Sequence, residues 1–273
     1  MIVDECHHVP SVSFERVMRE VKARYVIGLT ATPRRRDGHH PILQFELGAV
    51  RYTINAKSQA AAQPFDHKLV IRETVFRLSG DQADTGIQEI YRQLAADEKR
   101  NRLILDDVIQ ALEQGRSPIL LTKRRDHLEY FAERLGAHTT NLIILRGGMK
   151  IRDRRAAIAQ LSTIPETAER LVLATGQFIG EGFDDARLDT LFLTMPVSWR
   201  GTLVQYAGRL HRAHKAKTDV RMIDYVDRNV PMLANMFEKR MKGYQAMGDS
   251  ISNHPATNRE KSNASEQRQI ALI

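Results

Sequence analysis

Two adjacent carboxylates, Asp4 and Glu5, directly follow the short apolar run 1–3. At the end of a buried strand, such a pair can hold a magnesium ion, one of them through water, and can position a water molecule for attack on a γ-phosphate. A solvated strand end is the alternative interpretation, because charged pairs are mostly exposed. His7 and His8 could be metal ligands, but a polar contact is as plausible where no Cys or further His stands nearby.

The most specific pattern is the run 205–212, Gln-Tyr-Ala-Gly-Arg-Leu-His-Arg. Steps of four and three residues place Gln205, Arg209 and Arg212 on one helical face, so two guanidinium groups can meet one anion. A basic solvated face is the alternative. A solvated face gives no reason for Gly208, since a glycine inside a helix destabilises the helix by about 1 kcal/mol relative to alanine. Close approach of another backbone or of a ligand would explain that glycine.

Two turns after predicted strands carry further candidates. The hydroxyls of Thr30 and Thr32 could couple a nucleotide site to a second site through hydrogen bonds, although the turn before Pro33 is ordinary by itself. The later loop 174–184 contains glycines that can bring backbone close to a phosphate or ribose. Its Asp184 could accept a hydrogen bond from a ribose hydroxyl, and an ordinary connection is again the alternative. The order and spacing of the motifs favour function.

The elements that must position these residues alternate between short apolar strands and longer helices. This alternation predicts a parallel, doubly wound α/β sheet, in which ligands bind at the carboxyl ends of the strands. The polar clusters fall at those ends. Predicted strands are 1–3, 24–29, 119–121, 142–145, 170–174, 188–193 and 220–224, and predicted helices are 13–22, 86–113, 126–135, 151–161, 201–210 and 231–247.

Composition restricts the partners and the compartment. The 273 residues carry a net charge of +8 and a pI near 9.7, which favours a polyanionic partner over an acidic substrate. A single cysteine excludes a disulfide framework and a Cys-rich zinc site, so we expect a reducing compartment, the cytoplasm by default. Neither a signal peptide nor a run of eighteen apolar residues is present, and no membrane association is expected.

Taken in order, these motifs resemble motifs II to VI of superfamily 2 helicases, the DEAD/DEAH-like class. The run Asp-Glu-Cys-His at 4–7 resembles motif II, 30–32 motif III, 120–122 motif IV, 175–184 motif V and 205–212 motif VI. The resemblance covers roughly residues 1–245. Within the superfamily, the chain is most similar to helicases related to type III restriction-enzyme subunits and to DNA-repair translocases.

The resemblance implies ATP and Mg²⁺ as cofactors and DNA, or RNA, as the partner. It implies that Asp4 binds magnesium through water, that Glu5 orients the attacking water, and that Arg209 and Arg212 stabilise the γ-phosphate charge. It implies that Gln205 supports that arginine face, and that Asp184, Gly182 and Gly208 contact the nucleotide. Thr30 and Thr32 are implied to couple the two lobes. The implied contacts with the nucleic-acid backbone are Thr122, Lys123, Arg146 and Thr175. A basic groove of this kind binds without sequence preference and with strong salt dependence.

The same resemblance implies a domain plan and an expected deficiency. The plan is a remnant of a first RecA-like domain at 1–55, a connector at 56–84, a complete second RecA-like domain at 85–230, a C-terminal helix at 231–249 and a disordered tail at 250–273. Catalysis in this class needs a G-x-x-x-x-G-K-[ST] loop, yet the chain has no Gly-Lys dipeptide. We therefore expect the chain alone to hydrolyse ATP at background rate.

Other interpretations remain open from the residues. The chain could be half of a split helicase, with the P-loop on a separate chain. It could also be a non-catalytic module that binds nucleic acid or docks a partner through the second RecA-like fold. A sugar-nucleotide enzyme on a similar α/β fold explains neither the arginines of motif VI nor the Thr-Ala-Thr turn.

Overall fold

A computed structural model describes residues 1–30, 40–54, 58, 63–80, 85–176, 185–197, 206–208, 210–215 and 217–252. The chain divides into two compact units, Met1–Gln59 and Ala60–Ile273. Within the described residues, no helix has both the length and the apolar character that crossing a bilayer requires.

The first unit is built on two short parallel strands, β1 (Ile2–Val3) and β2 (Ile27–Gly28), with Val3 opposite Gly28. Its other elements are a 3-10 turn (Cys6–His8) and the helices α1 (Val12–Glu20) and α2 (His40–Leu47). A small core of Cys6, Val9 and Leu43 holds them together. Gly28 is required there, because a Cβ built at this position would lie 2.6 Å from Leu47 and 2.9 Å from the Cys6 sulfur.

Many apolar side chains of the first unit face solvent. Ile2 and Ile27, on the two strands, are 68% and 56% exposed, and Phe45 of α2 is 87% exposed. An exposed apolar strand pair is a surface on which further sheet or another chain can pack.

The second unit contains a seven-stranded, all-parallel sheet. Its strands are β3 (Asp66–Glu73), β4 (Pro118–Thr122), β5 (Leu142–Leu145), β6 (Leu171–Thr175), β7 (Thr190–Leu193), β8 (Asp219–Val226) and β9 (Ser250–Ser252), in the order β5-β6-β4-β7-β8-β3-β9. Its helices are α3 (Ile87–Ala96), α4 (Glu98–Glu113), α5 (Arg125–Leu135), α6 (Ile151–Thr163) and α7 (Pro231–Met247).

Helices cover both faces of this sheet, which explains why its strands are apolar on both sides. On β4, Leu120 packs in the core that α4 and α5 close. The neighbouring Ile119 and Leu121 pack in a second core on the other face of the sheet. That core is covered by α6, by the segment around Tyr206 and by α7. The predicted doubly wound parallel α/β fold is therefore confirmed.

Several predicted boundaries differ from the structure. The helix predicted at 86–113 is two helices, because Asp97 ends α3 and caps α4 by accepting a hydrogen bond from the Arg100 backbone N–H at 2.7 Å. The strand predicted at 24–29 is shortened to Ile27–Gly28.

Two segments assigned outside the second domain contribute strands to its sheet. Placing all of 56–84 in a connector was wrong, since β3 pairs with β8 along its full length, from Asp66 opposite Asp219 to Glu73 opposite Val226. The expected tail at 250–273 also begins with a strand, because β9 pairs with β3. Residues 253–273 lie outside the described part of the chain.

A buried ion pair joins α7 to the sheet. The guanidinium of Arg240 donates to both carboxylate oxygens of Asp224 at 2.6 and 2.9 Å, and the Tyr244 hydroxyl donates to the same carboxylate at 2.8 Å. The two charged side chains are only 4% and 2% exposed. A buried pair tolerates the loss of one partner poorly, so this contact fixes α7 against β8.

Candidate nucleotide and nucleic-acid site

The acidic pair lies at the carboxyl end of β1, as the sequence predicts. Asp4 is exposed, and its Oδ1 accepts the backbone N–H of Glu5 at 2.9 Å. Glu5 has the left-handed backbone conformation, with φ 48° and ψ 43°, which is uncommon for a residue other than glycine. Such conformations concentrate at functional sites, where the surrounding structure enforces them.

His7 links the acidic box to the Thr30 turn within the first unit. Its Nδ1 lies 3.2 Å from Oε2 of Glu5 and 3.0 Å from the Thr30 hydroxyl. The contact with Thr30 is a hydrogen bond whose direction depends on the tautomer of the ring, and the contact with Glu5 is a salt bridge when the ring is protonated. The interpretation of His7 as a polar contact therefore has a concrete geometry: the ring lies close to both the carboxylate and the hydroxyl.

Three neighbouring strands of the second unit end in the predicted nucleic-acid contacts. Thr122 at the end of β4 lies opposite Thr175 at the end of β6, and Arg146 directly follows β5 on the far side of β6. The Gly147 N–H donates to the Thr175 hydroxyl at 2.9 Å, and the Gly176 N–H donates to the Thr122 carbonyl at 3.1 Å. The sheet therefore brings the three predicted segments together at one edge.

The Thr122 side chain points into the protein. It is 2% exposed, and its hydroxyl lies 3.0 Å from Nδ1 of His127. Nε2 of His127 in turn lies 2.9 Å from the side-chain oxygen of Asn101. Since this hydroxyl is already engaged, any contact of Thr122 with a phosphate would have to involve the main chain. The role of Thr122 in nucleic-acid binding stays a prediction.

Burial keeps the His127 ring neutral. It lowers the pKa of this histidine from 6.5 to about 3, and the positive charge of Arg100 acts in the same direction. A neutral ring has one donor and one acceptor nitrogen, which matches the two contacts it makes. The ring thus links the end of β4 to α4.

Lys123 is exposed as a residue, but its ammonium end is crowded. Nζ donates to the Tyr91 hydroxyl at 3.0 Å and lies 4.8 Å from the centre of that ring. Desolvation of the ammonium, followed by repulsion from Arg240, lowers the pKa of Lys123. One ammonium hydrogen is used by Tyr91, and the remaining two can reach an anion.

Arg146 is partly exposed and is oriented by α5. Its Nη1 donates to Oε1 of Glu129 at 2.9 Å, and its side chain is 34% exposed. A pair this exposed contributes little to stability, so an anionic ligand can compete for the guanidinium.

A tyrosine in motif VI connects it to the start of motif V. The hydroxyl of Tyr206 donates to the carbonyl of Gly176 at 3.0 Å. A Cβ built on Gly176 would lie 2.5 Å from that hydroxyl oxygen, so only glycine fits there without displacing the tyrosine. Burial raises the pKa of Tyr206 to about 12, and the hydroxyl remains a donor at neutral pH.

The surroundings of Gly208 differ from those of Gly176. A Cβ built on Gly208 meets no described atom within 4 Å, and the residue is exposed. Contact with another backbone segment therefore does not account for this glycine among the described residues, and approach of a ligand stays a prediction. Arg212, four residues further on, is exposed as well.

Five predicted site residues lie outside the part of the chain that the structure describes: Thr32, Gly182, Asp184, Gln205 and Arg209. Their assigned roles stay predictions.

Sequence reasoning missed three residues that hold the candidates in place. Tyr206 could have been found, because it is the single aromatic residue of the motif VI run. The sequence around His127 and Tyr91 does not indicate their roles. Their contacts with Thr122 and Lys123 arise only because α5 and α3 pack against the end of β4.

Comparison with known proteins shows similarity to helicases. Residues 1–35 match the family described as "Type III restriction enzyme, res subunit". The chain is 27% identical over 268 residues to "Putative helicase 161L" of Invertebrate iridescent virus 6, covering 93% of this chain and 57% of the relative. It is 22% identical over 234 residues to "Putative ATP-dependent RNA helicase L396" of Acanthamoeba polyphaga mimivirus, covering 83% of this chain and 43% of that protein.

A solved structure supports the fold. Dbp5 of S. cerevisiae, bound to RNA and ADP BeF3, superposes with a TM-score of 0.61 at 11% identity, covering 98% of this chain and 62% of Dbp5. The chain thus spans about half the length of the curated relatives it matches. The chain is similar to superfamily 2 helicases, and its fold is RecA-like.

The contact between Tyr206 and Gly176 can be tested by a double-mutant cycle. We expect Gly176→Ala to destabilise the protein by about 1–3 kcal/mol, because the added methyl overpacks a buried contact. In a Tyr206→Phe background the nearest remaining ring atom is 3.7 Å away, so the same substitution should cost clearly less. Urea unfolding measures both values. Gly208→Ala is the matched control and should be neutral or stabilising by up to about 1 kcal/mol. Equal costs of Gly176→Ala in the two backgrounds would show that the contact is unimportant.

The neutral state of His127 predicts a pH dependence of stability. Its folded pKa lies below the unfolded value, so the unfolded chain binds more protons below pH 6.5 and stability falls as the pH falls towards 3. Between pH 7 and 5 this single group should cost about 2 kcal/mol. In His127→Gln we expect the free energy of unfolding to change by about 2 kcal/mol less between pH 7 and 5 than in the wild type, as measured by urea unfolding at both pH values. A variant that shows the same change as the wild type would refute the buried neutral ring.

Proposed function

We propose that this chain is the C-terminal motor portion of an ATP-dependent nucleic-acid helicase or translocase. The observation that carries the proposal is the convergence of three predicted backbone contacts, at Lys123, Arg146 and Thr175, on the carboxyl edge of neighbouring strands. This is the edge at which doubly wound sheets bind their ligands. The similarity to viral helicases over most of the chain supports the same conclusion.

In this proposal, nucleic acid lies along the ends of β4, β5 and β6. The guanidinium of Arg146 and the ammonium of Lys123 meet phosphates, and Gly176 lies beside them. Such contacts neutralise phosphates without reading bases, so binding is independent of sequence. DNA is the partner we favour, and RNA is the alternative that the experiment below distinguishes.

Asp4 and Glu5 are the proposed ligands of a nucleotide-associated Mg²⁺. Both carboxylates follow β1 and at least part of each side chain reaches solvent, which suits a hard cation that prefers oxygen ligands and keeps several waters. The ion, when bound with ATP, would neutralise charge on the β- and γ-phosphates. Glu5 would orient the attacking water, and His7 would hold the Glu5 carboxylate.

Motif VI carries further proposed contacts with the nucleotide. Arg209 and Arg212 are the proposed anion contacts, Gln205 supports their face, and Gly182, Asp184 and Gly208 contact the nucleotide. Thr30 and Thr32 would couple nucleotide state to nucleic-acid binding. The hydrogen bond between Thr30 and His7 supports the first part of that connection.

We further propose that the 273-residue polypeptide hydrolyses ATP only at background rate by itself, because it contains no P-loop sequence. A P-loop segment, in a longer form of the same protein or in a separate chain, would pack on the exposed apolar strands β1 and β2. The alternative function is a non-catalytic module that binds nucleic acid or docks a partner. The reading frame upstream of Met1 distinguishes a longer protein from a split one.

Nucleic-acid binding is tested by fluorescence anisotropy with a labelled single-stranded oligonucleotide over a range of salt concentrations. We expect Arg146→Gln and Lys123→Gln each to weaken binding and to lower the slope of log K against log salt by about 0.7. Arg134→Gln is the matched control, since it removes the same charge from the C-terminal end of α5, towards the opposite edge of the sheet. Equal weakening by all three variants would show that binding depends on the total charge of the protein and not on this site. Unlabelled DNA and RNA competitors identify the preferred strand.

ATP turnover is tested by phosphate release from the same chain, with and without nucleic acid. We expect background rates in both cases, and the same rate for Glu5→Gln. Brisk turnover that nucleic acid stimulates and Glu5→Gln abolishes would refute the proposed dependence on a P-loop segment. Nucleic-acid binding with no effect of added ATP and Mg²⁺ on affinity would favour the non-catalytic module.

A further inference from the structure

A cluster of two histidines and one aspartate lies in the second unit. His67 is on β3, His211 follows the helical segment of motif VI, and Asp249 stands between α7 and β9. Each side chain offers one possible ligand atom, and these three atoms lie within 4.8 Å of one another. The two imidazole rings are 3.9 Å apart between their centres.

These side chains are buried without the hydrogen bonds that buried polar groups normally make. The side chains of His67 and Asp249 are 4% and 1% exposed. Among the described residues, no partner is found for either ring nitrogen of His67, for Nε2 of His211 or for either carboxylate oxygen of Asp249. The shortest separation between His67 and Asp249 is 4.0 Å, too long for a hydrogen bond. Such a group of atoms calls for a bound ion or ordered water.

Burial disfavours charge on the side chains of this cluster. It raises the pKa of Asp249 to about 7 and lowers the pKa of both histidines, to about 3 for His211. Asp66 acts on His67 in the direction that favours positive charge. Lys217 opposes it, but its ammonium donates to the carbonyls of Leu210 and Arg212 at 2.6 and 2.9 Å.

We propose that His67, His211 and Asp249 bind one divalent transition-metal ion, for which zinc is the best match. Two imidazole nitrogens and one carboxylate oxygen are ligands that Zn²⁺ accepts, with a water in the fourth position. Bonds of about 2.0–2.2 Å require ligand atoms roughly 3.4 Å apart in a tetrahedron, so the side chains would close by about 1 Å on binding. The magnesium proposed at Asp4 and Glu5 is a different ion in a different unit.

The ion would act as a positioning element for motif VI. His211 lies between Arg209 and Arg212 in the sequence, while the other two ligands come from β3 and the approach to β9. Metal binding therefore ties the segment that carries both arginines to the edge of the sheet. The site is not required for the general proposal of a helicase fragment, and either can fail without the other.

The test uses the full 273-residue chain without an affinity tag. The protein is stripped with a chelator, titrated with Zn²⁺ or with Co²⁺ as a spectroscopic probe, and analysed for metal content after dialysis. We expect about one equivalent per chain, ligand-field absorption by the cobalt form, and a higher Tm with metal. Asp249→Asn, which preserves shape, and His67→Gln should bind more than about 100-fold more weakly, beyond the loss expected for a residue outside the coordination shell. His138→Gln should bind like the wild type.

Three results would overturn the proposal. One is wild-type protein that takes up no metal, as it would if ordered water alone satisfied the cluster. Another is equal metal uptake by the Asp249→Asn and His138→Gln variants, which would show that the metal binds at a different site. The third is a rise in Tm with metal that persists in His67→Gln. If a variant does not fold, as judged by circular dichroism, the wild-type metal content and cobalt spectrum decide the question.

Discussion

The candidate site depends on the register between β4 and β6, which sets Thr122 opposite Thr175. In a parallel sheet every carboxyl end lies at the same edge, so this pairing also places Lys123 beside Gly176 and Arg146 beside Thr175. A shift of either strand by one residue would turn its buried leucine, Leu120 or Leu173, to the other face of the sheet. The apolar pattern that forms the two cores therefore also fixes where the polar edge begins.

Buried ion pairs hold the helices that surround this edge. Asp224 and Asp227, near the end of β8, bind Arg240 of α7 and Arg100 of α4 with shortest distances of 2.6 and 2.9 Å. Removing charges from water is costly, and buried pairs often contribute less than apolar contacts would. Their effect here is on geometry: Arg240 contacts both oxygens of Asp224 and so orients α7, whereas Arg100 donates one hydrogen bond to Asp227. Desolvation, followed by repulsion from Arg240, lowers the pKa of Lys123.

Sequence alone predicted the parts that depend on local periodicity. The strand at 142–145 and the C-terminal helix at 231–247 were predicted with the bounds the structure shows, because each is a continuous apolar or amphipathic run. β3 was missed as part of the sheet because its partner β8 lies far along the chain, and only long-range pairing gives the segment its place. The order of strands was likewise beyond local patterns.

The site was predictable at the level of segments but not of side-chain directions. Residue types at the strand ends identified Thr122, Arg146 and Thr175, and the structure brings them to one edge. Nothing in the sequence shows that the Thr122 hydroxyl turns inwards to His127, since this depends on how α5 packs after β4. The cluster of His67, His211 and Asp249 has no sequence signature for a related reason: its members come from three distant segments that meet only in the folded sheet.

Motif VI is held at both ends by groups of different chemistry. Before its arginines, Tyr206 is tied to Gly176 at the start of motif V. After the first of them, His211 packs against His67 of β3, next to Asp249. Tyr206 and His211 therefore hold the described part of this segment against the end of β6 and against β3. Arg212 directly follows His211, so the second contact also limits where the backbone of Arg212 can lie.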